Sequence, residues 1–189
     1  MTEPALTPSQ TVGPYLAIGM VGGPIGPTLV PADDPRAIRI RGRLLDATGD
    51  PVPDGTVEIW QANSAGRYAH PADPRAELPL EEGFTGFGRS DTVNDGWFEF
   101  LTVKPGRVPM PDGRLQAPHI VVGIFARGLL KRLVTRIYFP DEVEANGSDP
   151  LLVELDETER STLVAQSVDG ELRFDIRLQG DGQTTFFLV

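Results

Sequence analysis

Residues 37–45 read Ala37-Ile38-Arg39-Ile40-Arg41-Gly42-Arg43-Leu44-Leu45, and their period of two decides the fold class. Ile38 and Ile40 alternate with Arg39 and Arg41, so one face of an extended strand suits a core and the other suits water. Turn residues fill 47–53, after which a second strand is predicted over Thr56–Ala62, with Val57 and Ile59 on one face and Glu58 and Trp60 on the other. Trp97–Lys104 is the next, with Phe98 and Phe100 sharing a face, entered through Asn94-Asp95-Gly96 and stopped by Pro105-Gly106. His119–Ala126 and Arg132–Phe139 predict an antiparallel hairpin around Gly128. Glu171–Gln179 and Thr184–Val189, joined by Gly180-Asp181-Gly182, predict the last strands.

Two stretches break this pattern. Residues 1–36 hold seven prolines and five glycines, which predicts an extended arm without a helix, separate from a domain over 37–189. Residues 63–96 carry Gly, Pro, Asn and Asp too densely for regular structure, and so long a connection within a compact domain is expected to be ordered and functional. Only Asp156–Gln166 reads as helical, because Asp156 can cap with Glu159 three residues on. Seven or so strands and one short helix imply an all-β chain, a β-sandwich of mainly antiparallel sheets with long loops and an N-terminal arm.

At 189 residues the chain suits one domain with a core of its own. Seventeen Lys and Arg against 27 Asp and Glu give a net charge of −10, which argues against nucleic acid or an anionic membrane as partner. The lack of cysteine excludes disulfides, thiolate metal sites and a cysteine nucleophile. The start lacks a signal-peptide pattern and no stretch approaches 18 apolar residues, so the expected location is the cytoplasm. No Gly-x-Ser-x-Gly, P-loop or His-Glu-x-x-His pattern occurs. Glu81-Glu82 and Glu157/Glu159 read as a solvated loop and a helix start.

The chemistry-bearing candidates are Tyr68, in Gly66-Arg67-Tyr68-Ala69-His70, and His119, in Pro118-His119-Ile120-Val121. A phenolate oxygen and an imidazole nitrogen suit a hard, high-valent iron, and His-x-His on a strand would aim two nitrogens at one metal. Here the second position is Val121. The plainer reading of the residues is that Tyr68 packs with its hydroxyl hydrogen-bonded and His119 is a satisfied strand-end histidine. His70 reads as surface.

Gly49-Asp50-Pro51-Val52-Pro53 leads into Val57-Glu58-Ile59-Trp60-Gln61-Ala62-Asn63 and Gly66-Arg67-Tyr68, followed by Gly86-Phe87-Gly88-Arg89 and Lys104-Pro105-Gly106. This ordered set resembles the intradiol ring-cleavage dioxygenases over nearly the whole chain. The opening Thr7-Pro8-Ser9-Gln10-Thr11-Val12-Gly13-Pro14-Tyr15 and the short length are similar to the alpha chain of a two-chain member. Catalytic chains of the family bind non-haem Fe(3+) through two tyrosines and two histidines, positions that the resemblance carries onto Tyr68, Val108, His119 and Val121. Two of these are aliphatic. The arginine expected three residues before the first histidine is Gln116, and the glutamine expected in the following strand is Arg136, a like charge beside a ferric ion.

The resemblance therefore implies no catalytic residue in this chain alone and no iron of its own. Fe(3+) would be carried by a homologous beta chain, with Gly13, Pro14 and Tyr15 lining that partner's substrate pocket. The implied reaction of the pair, in aromatic catabolism by the beta-ketoadipate route, cleaves 3,4-dihydroxybenzoate with O₂ to 3-carboxy-cis,cis-muconate. Two other readings stand beside it: an iron-binding homo-oligomeric enzyme with an altered metal site, and a non-catalytic prealbumin-like binding module.

Overall fold

A computed structural model describes residues 6–13, 15–20 and 23–188. Among the described residues nine strands form two sheets: β1 (Ala37–Leu45), β2 (Thr56–Trp60), β3 (Phe87–Asp91), β4 (Trp97–Val103), β5 (His119–Phe125), β6 (Leu133–Tyr138), β7 (Gln166–Val168), β8 (Glu171–Arg173) and β9 (Ile176–Arg177). The first sheet runs β4-β1-β8-β7 with β9 also on β1, and the second runs β3-β2-β5-β6. All pairings are antiparallel except β1 with β8 and with β9, which are parallel. The predicted all-β sandwich and the β5–β6 hairpin are both present.

The inner faces are the ones the alternation assigned. Ile40, Leu44, Phe98, Phe100, Phe174 and Ile176 from one sheet meet Val57, Ile59, Ile120, Val122, Ile124 and Ile137 from the other in one buried cluster. Each such side chain contributes about 1.5–3 kcal/mol relative to exposure. Between β8 and β9 the chain bulges. Phe174 donates its N–H to Arg41 O at 2.9 Å, and the Asp175 carboxylate accepts the Arg43 N–H at 2.8 Å. Gly42 makes room for this bulge: a Cβ there would stand 1.8 Å from Phe174 O.

Several expectations are corrected. The arm region does contain a helix, α1 (Tyr15–Met20), because the nine residues between Pro14 and Pro24 are proline-free and leave room for one turn and a half. The 63–96 connection holds β3, whose Phe87-Gly88-Arg89-Ser90-Asp91 pairs with β2 despite its poor strand composition; cross-strand pairing overrides propensity there. The helix predicted over Asp156–Gln166 shrinks to α3 (Glu157–Ser161), with the Asp156/Glu159 capping box formed, and Gln166 instead opens β7. It is not the single helix, since α2 (Val143–Gly147) and a 3₁₀ turn (Leu152–Glu154) precede it. β2 stops at Trp60 rather than Ala62. Residues 184–188 form no strand but run beside β6, where Phe187 donates to Val134 O at 2.8 Å.

Residues 26–29 fasten the two sheets together along one side. Arg89 of β3 donates to Gly26 O at 3.1 Å, Leu101 of β4 donates to Pro27 O at 2.9 Å, and Leu29 donates back to Leu101 O at 2.8 Å.

Candidate functional site

The outer face of the β3-β2-β5-β6 sheet is read from its register. Phe87, Trp60, Val121 and Arg136 lie in one cross-strand row, and His119 and Tyr138 form the next pair on the same face. Two loops rise beside this row. The Asn63 side chain shapes the first, its Oδ1 accepting the N–H groups of Ala65 and Arg67 at 3.1 and 2.9 Å while its Nδ2 donates to Pro79 O at 2.9 Å. The loops touch through glycines. Gly66 has φ +83° and a Cβ there would lie 2.3 Å from Arg107 O, while Gly106 donates to Asn63 O at 2.9 Å. Only glycine takes that dihedral at so close an approach without strain.

This packing orients Tyr68. Its N–H donates to Asp73 Oδ2 at 2.8 Å, and Asp73 is held by Arg75, whose guanidinium keeps the carboxyl well below the ordinary carboxylate range. The Tyr68 ring stacks on Trp60 with centroids 5.5 Å apart and planes at 13°, and His70 meets Trp60 edge-on at 6.3 Å. Val108, Pro109, Met110 and Pro111 complete a cavity of about 600 Å³ with Trp60, Tyr68, His70 and the Asp73–Arg75 segment. Burial raises the Tyr68 phenol above its usual value, opposed by the charges of Arg136 and Arg75.

Behind the cavity lies a polar network. Arg136 Nη1 donates to Gln116 Oε1 at 2.8 Å and to Tyr138 Oη at 3.3 Å. Tyr138 Oη donates to Asp149 Oδ1 at 3.3 Å. Asp149 is wholly buried and its side-chain oxygens accept the N–H groups of Ala117, Leu151 and Leu152 at 2.7, 2.9 and 3.0 Å, so these buried acceptors are satisfied. His119 is 3% exposed and its pKa is lowered to about 4, chiefly by burial and then by the Arg136 charge. The neutral ring donates from Nδ1 to Ala117 O at 2.8 Å, which leaves Nε2 as a bare lone pair, the arrangement that orients metal-binding imidazoles.

The structure thus gathers Tyr68, Val108, Gln116, His119, Val121 and Arg136 around one end of β5. Gly13 is exposed, with open space where a Cβ would stand. Pro14 lies outside the described residues, as does the side chain of Tyr15, whose backbone opens α1. His70 is exposed as expected, yet it also lines the cavity.

Ferric iron does not fit the four positions the resemblance assigns to it. Tyr68 and His119 offer donors, Val108 and Val121 offer none, and a guanidinium is hydrogen-bonded into the same cluster. Among the described residues no group of three or more His, Asp or Glu side chains is placed to hold a metal. No helix of the described residues is long and apolar enough to cross a membrane.

Trp60, Tyr138 and Asp149 escaped sequence reading as site residues. Trp60 reads as a strand residue within the family motif, and Asp149 sits in Asn146-Gly147-Ser148-Asp149-Pro150, which reads as an ordinary turn. Its burial is visible only once the chain is folded.

A family model described as Dioxygenase (Dioxygenase_C) matches residues 26–180. The chain is 41% identical over 197 aligned positions to the protocatechuate 3,4-dioxygenase alpha chain of Pseudomonas putida, covering 96% of this chain and 95% of that one. It is 35% identical over 173 positions to the protocatechuate 3,4-dioxygenase beta chain of Burkholderia cepacia, covering 86% of this chain and 69% of that one. Among solved structures, the dioxygenase domain of a dioxygenase carbohydrate-binding fusion from Streptomyces sp. SirexAA-E superposes with a TM-score of 0.60 at 24% identity, over 92% of this chain and 99% of that one. That likeness speaks for the fold alone.

Proposed function

This chain belongs to the intradiol ring-cleavage dioxygenase family, and on that premise we propose that it acts as the alpha chain of a protocatechuate 3,4-dioxygenase. The assembled enzyme opens 3,4-dihydroxybenzoate between its hydroxyl-bearing carbons, adding both atoms of O₂ to give 3-carboxy-cis,cis-muconate. The family depends on non-haem iron, and in this reading a homologous beta chain carries the Fe(3+).

The observation that carries the division of labour is the Arg136–Gln116 pair standing among Tyr68, Val108, His119 and Val121. A fixed cation replaces ligand chemistry there, so this chain's contribution is to wall and assembly. Residues 1–36 act as an arm on the sandwich of 37–189, and Gly13, Pro14 and Tyr15 line the partner's pocket. Proline fixes φ, glycine permits close backbone approach and tyrosine offers a flat face with a polar tip. An obligate pair of this kind buries about 2,000 Å² or more.

Co-expression with a beta chain tests the reading. The two chains are expected to co-purify as one assembly that consumes O₂ with 3,4-dihydroxybenzoate. Failure to assemble, or ring cleavage by this chain alone, would overturn it.

A further inference from the structure

Phe87 of the Gly86-Phe87-Gly88-Arg89 motif borders the site described above, whereas Arg89 of the same motif reaches the arm. Its Nε and Nη2 donate to Glu58 Oε1 at 2.9 and 2.6 Å, a pair whose side chains are only 11% and 13% exposed. The remaining Nη1 points to the carbonyl at the end of α1, Met20 O, at 3.4 Å. The main chain of Arg89 also donates to Gly26 O at 3.1 Å, so one residue of β3 holds the arm at two places.

A second anchor lies across the sheet. The N–H of Gly128, in the β5–β6 connection, donates to Thr11 Oγ1 at 2.7 Å. With sheet order β3-β2-β5-β6, Thr11 and Met20 are fastened on opposite sides of β2. Between them Leu16 donates to Gly13 O at 3.0 Å, which closes the first turn before α1, and Gly13 itself faces open space. A proline-rich arm with no anchors would instead sample many conformations and lose that freedom on meeting a partner.

We propose that Thr11 and Arg89 are positioning residues, a two-point clamp that presents the Gly13 turn in a fixed place before the partner chain arrives. The inference rests on the alpha-chain reading, in which this turn completes the partner's pocket. Arg89 acts through Met20 O, with Glu58 fixing the guanidinium plane. Thr11 acts through its hydroxyl, which no backbone group of its own could replace.

The test uses two variants with a conservative control, read out in the full chain alone and in the co-expressed pair. Thr11→Val keeps the shape and removes the acceptor, whereas Thr11→Ser keeps the acceptor. Arg89→Lys keeps a charge beside Glu58 but cannot also reach Met20 O. In the full chain, Thr11→Val and Arg89→Lys should each speed amide exchange at Leu16 roughly fivefold, the effect of losing one ordinary hydrogen bond. Thr11→Ser should exchange like the parent. In the pair, both variants should raise the KM for 3,4-dihydroxybenzoate by a similar factor with kcat and iron content unchanged, and Thr11→Ser should restore it. Unaltered exchange in both variants overturns the clamp. Faster exchange with unaltered KM overturns its role in positioning, and an unmodified pair that fails to cleave the ring overturns the alpha-chain reading itself.

Discussion

Arg136 Nη1 donates to Gln116 Oε1 at 2.8 Å, which closes a hydrogen-bonded link between β6 and the segment leading into β5. Two residues that the resemblance sets apart from catalytic chains therefore answer one another. A buried amide oxygen needs a donor and a partly buried guanidinium needs an acceptor, so the pair is self-consistent without a metal.

Replacing Arg136 by Met should raise the His119 pKa from about 4 while leaving it below 6.5, because burial is the larger cause and the guanidinium charge the second. Titration of the imidazole by NMR in the parent and variant checks this. An unmoved pKa would contradict the placement of the charge. The variant also strands Gln116 Oε1 and should lose about 1.5–3 kcal/mol of stability.

The same histidine predicts an acid limb of stability. Its folded pKa of about 4 lies below the ordinary 6.5, so between these values the unfolded chain binds the extra proton. Stability is then full above pH 6.5 and falls with pH until it levels near pH 4, by on the order of 3 kcal/mol in all. His119→Gln should flatten that part of the denaturation profile. An equally steep profile in the variant would assign the limb to the carboxylates instead.

Gly66→Ala should destabilise the chain by about 2 kcal/mol or more, since it adds a Cβ at φ +83° within 2.3 Å of Arg107 O. Because Gly66 also spaces the two loops, the Tyr68–Trp60 stack should loosen. Chemical denaturation gives the first effect and near-ultraviolet circular dichroism the second.

If the guanidinium helps to exclude iron, supplying the missing ligands should not suffice. Val108→Tyr with Val121→His is expected to retain little iron, and adding Arg136→Gln should increase the bound metal. Elemental analysis of both variants decides it. Equal iron in the two would show that ligand loss alone accounts for the departure.

The sandwich was legible because its inner faces obey simple alternation: Ile40, Phe98, Phe100, Val57 and Ile59 all went where a period of two sends them. The strand β3 was not, because Gly88 and Asp91 are poor strand residues held by pairing with β2. The helix α1 is not legible in the composition of residues 1–36, because seven prolines mask the nine-residue gap between Pro14 and Pro24. The family resemblance assigns Tyr68, Val108, Gln116, His119, Val121 and Arg136 one by one, and folding places all six near one end of β5. The Arg136–Tyr138–Asp149 chain was not legible, because hydrogen bonds between residues distant in sequence leave no local pattern.

In the proposed pair, this polypeptide supports a metal centre that the beta chain holds. Iron measured per polypeptide, in the purified chain and in the complex with its beta partner, tests it most directly. A negligible amount is expected in the lone chain and one iron per alpha–beta pair. Stoichiometric iron in the lone chain would contradict it and make this chain a catalyst in its own right.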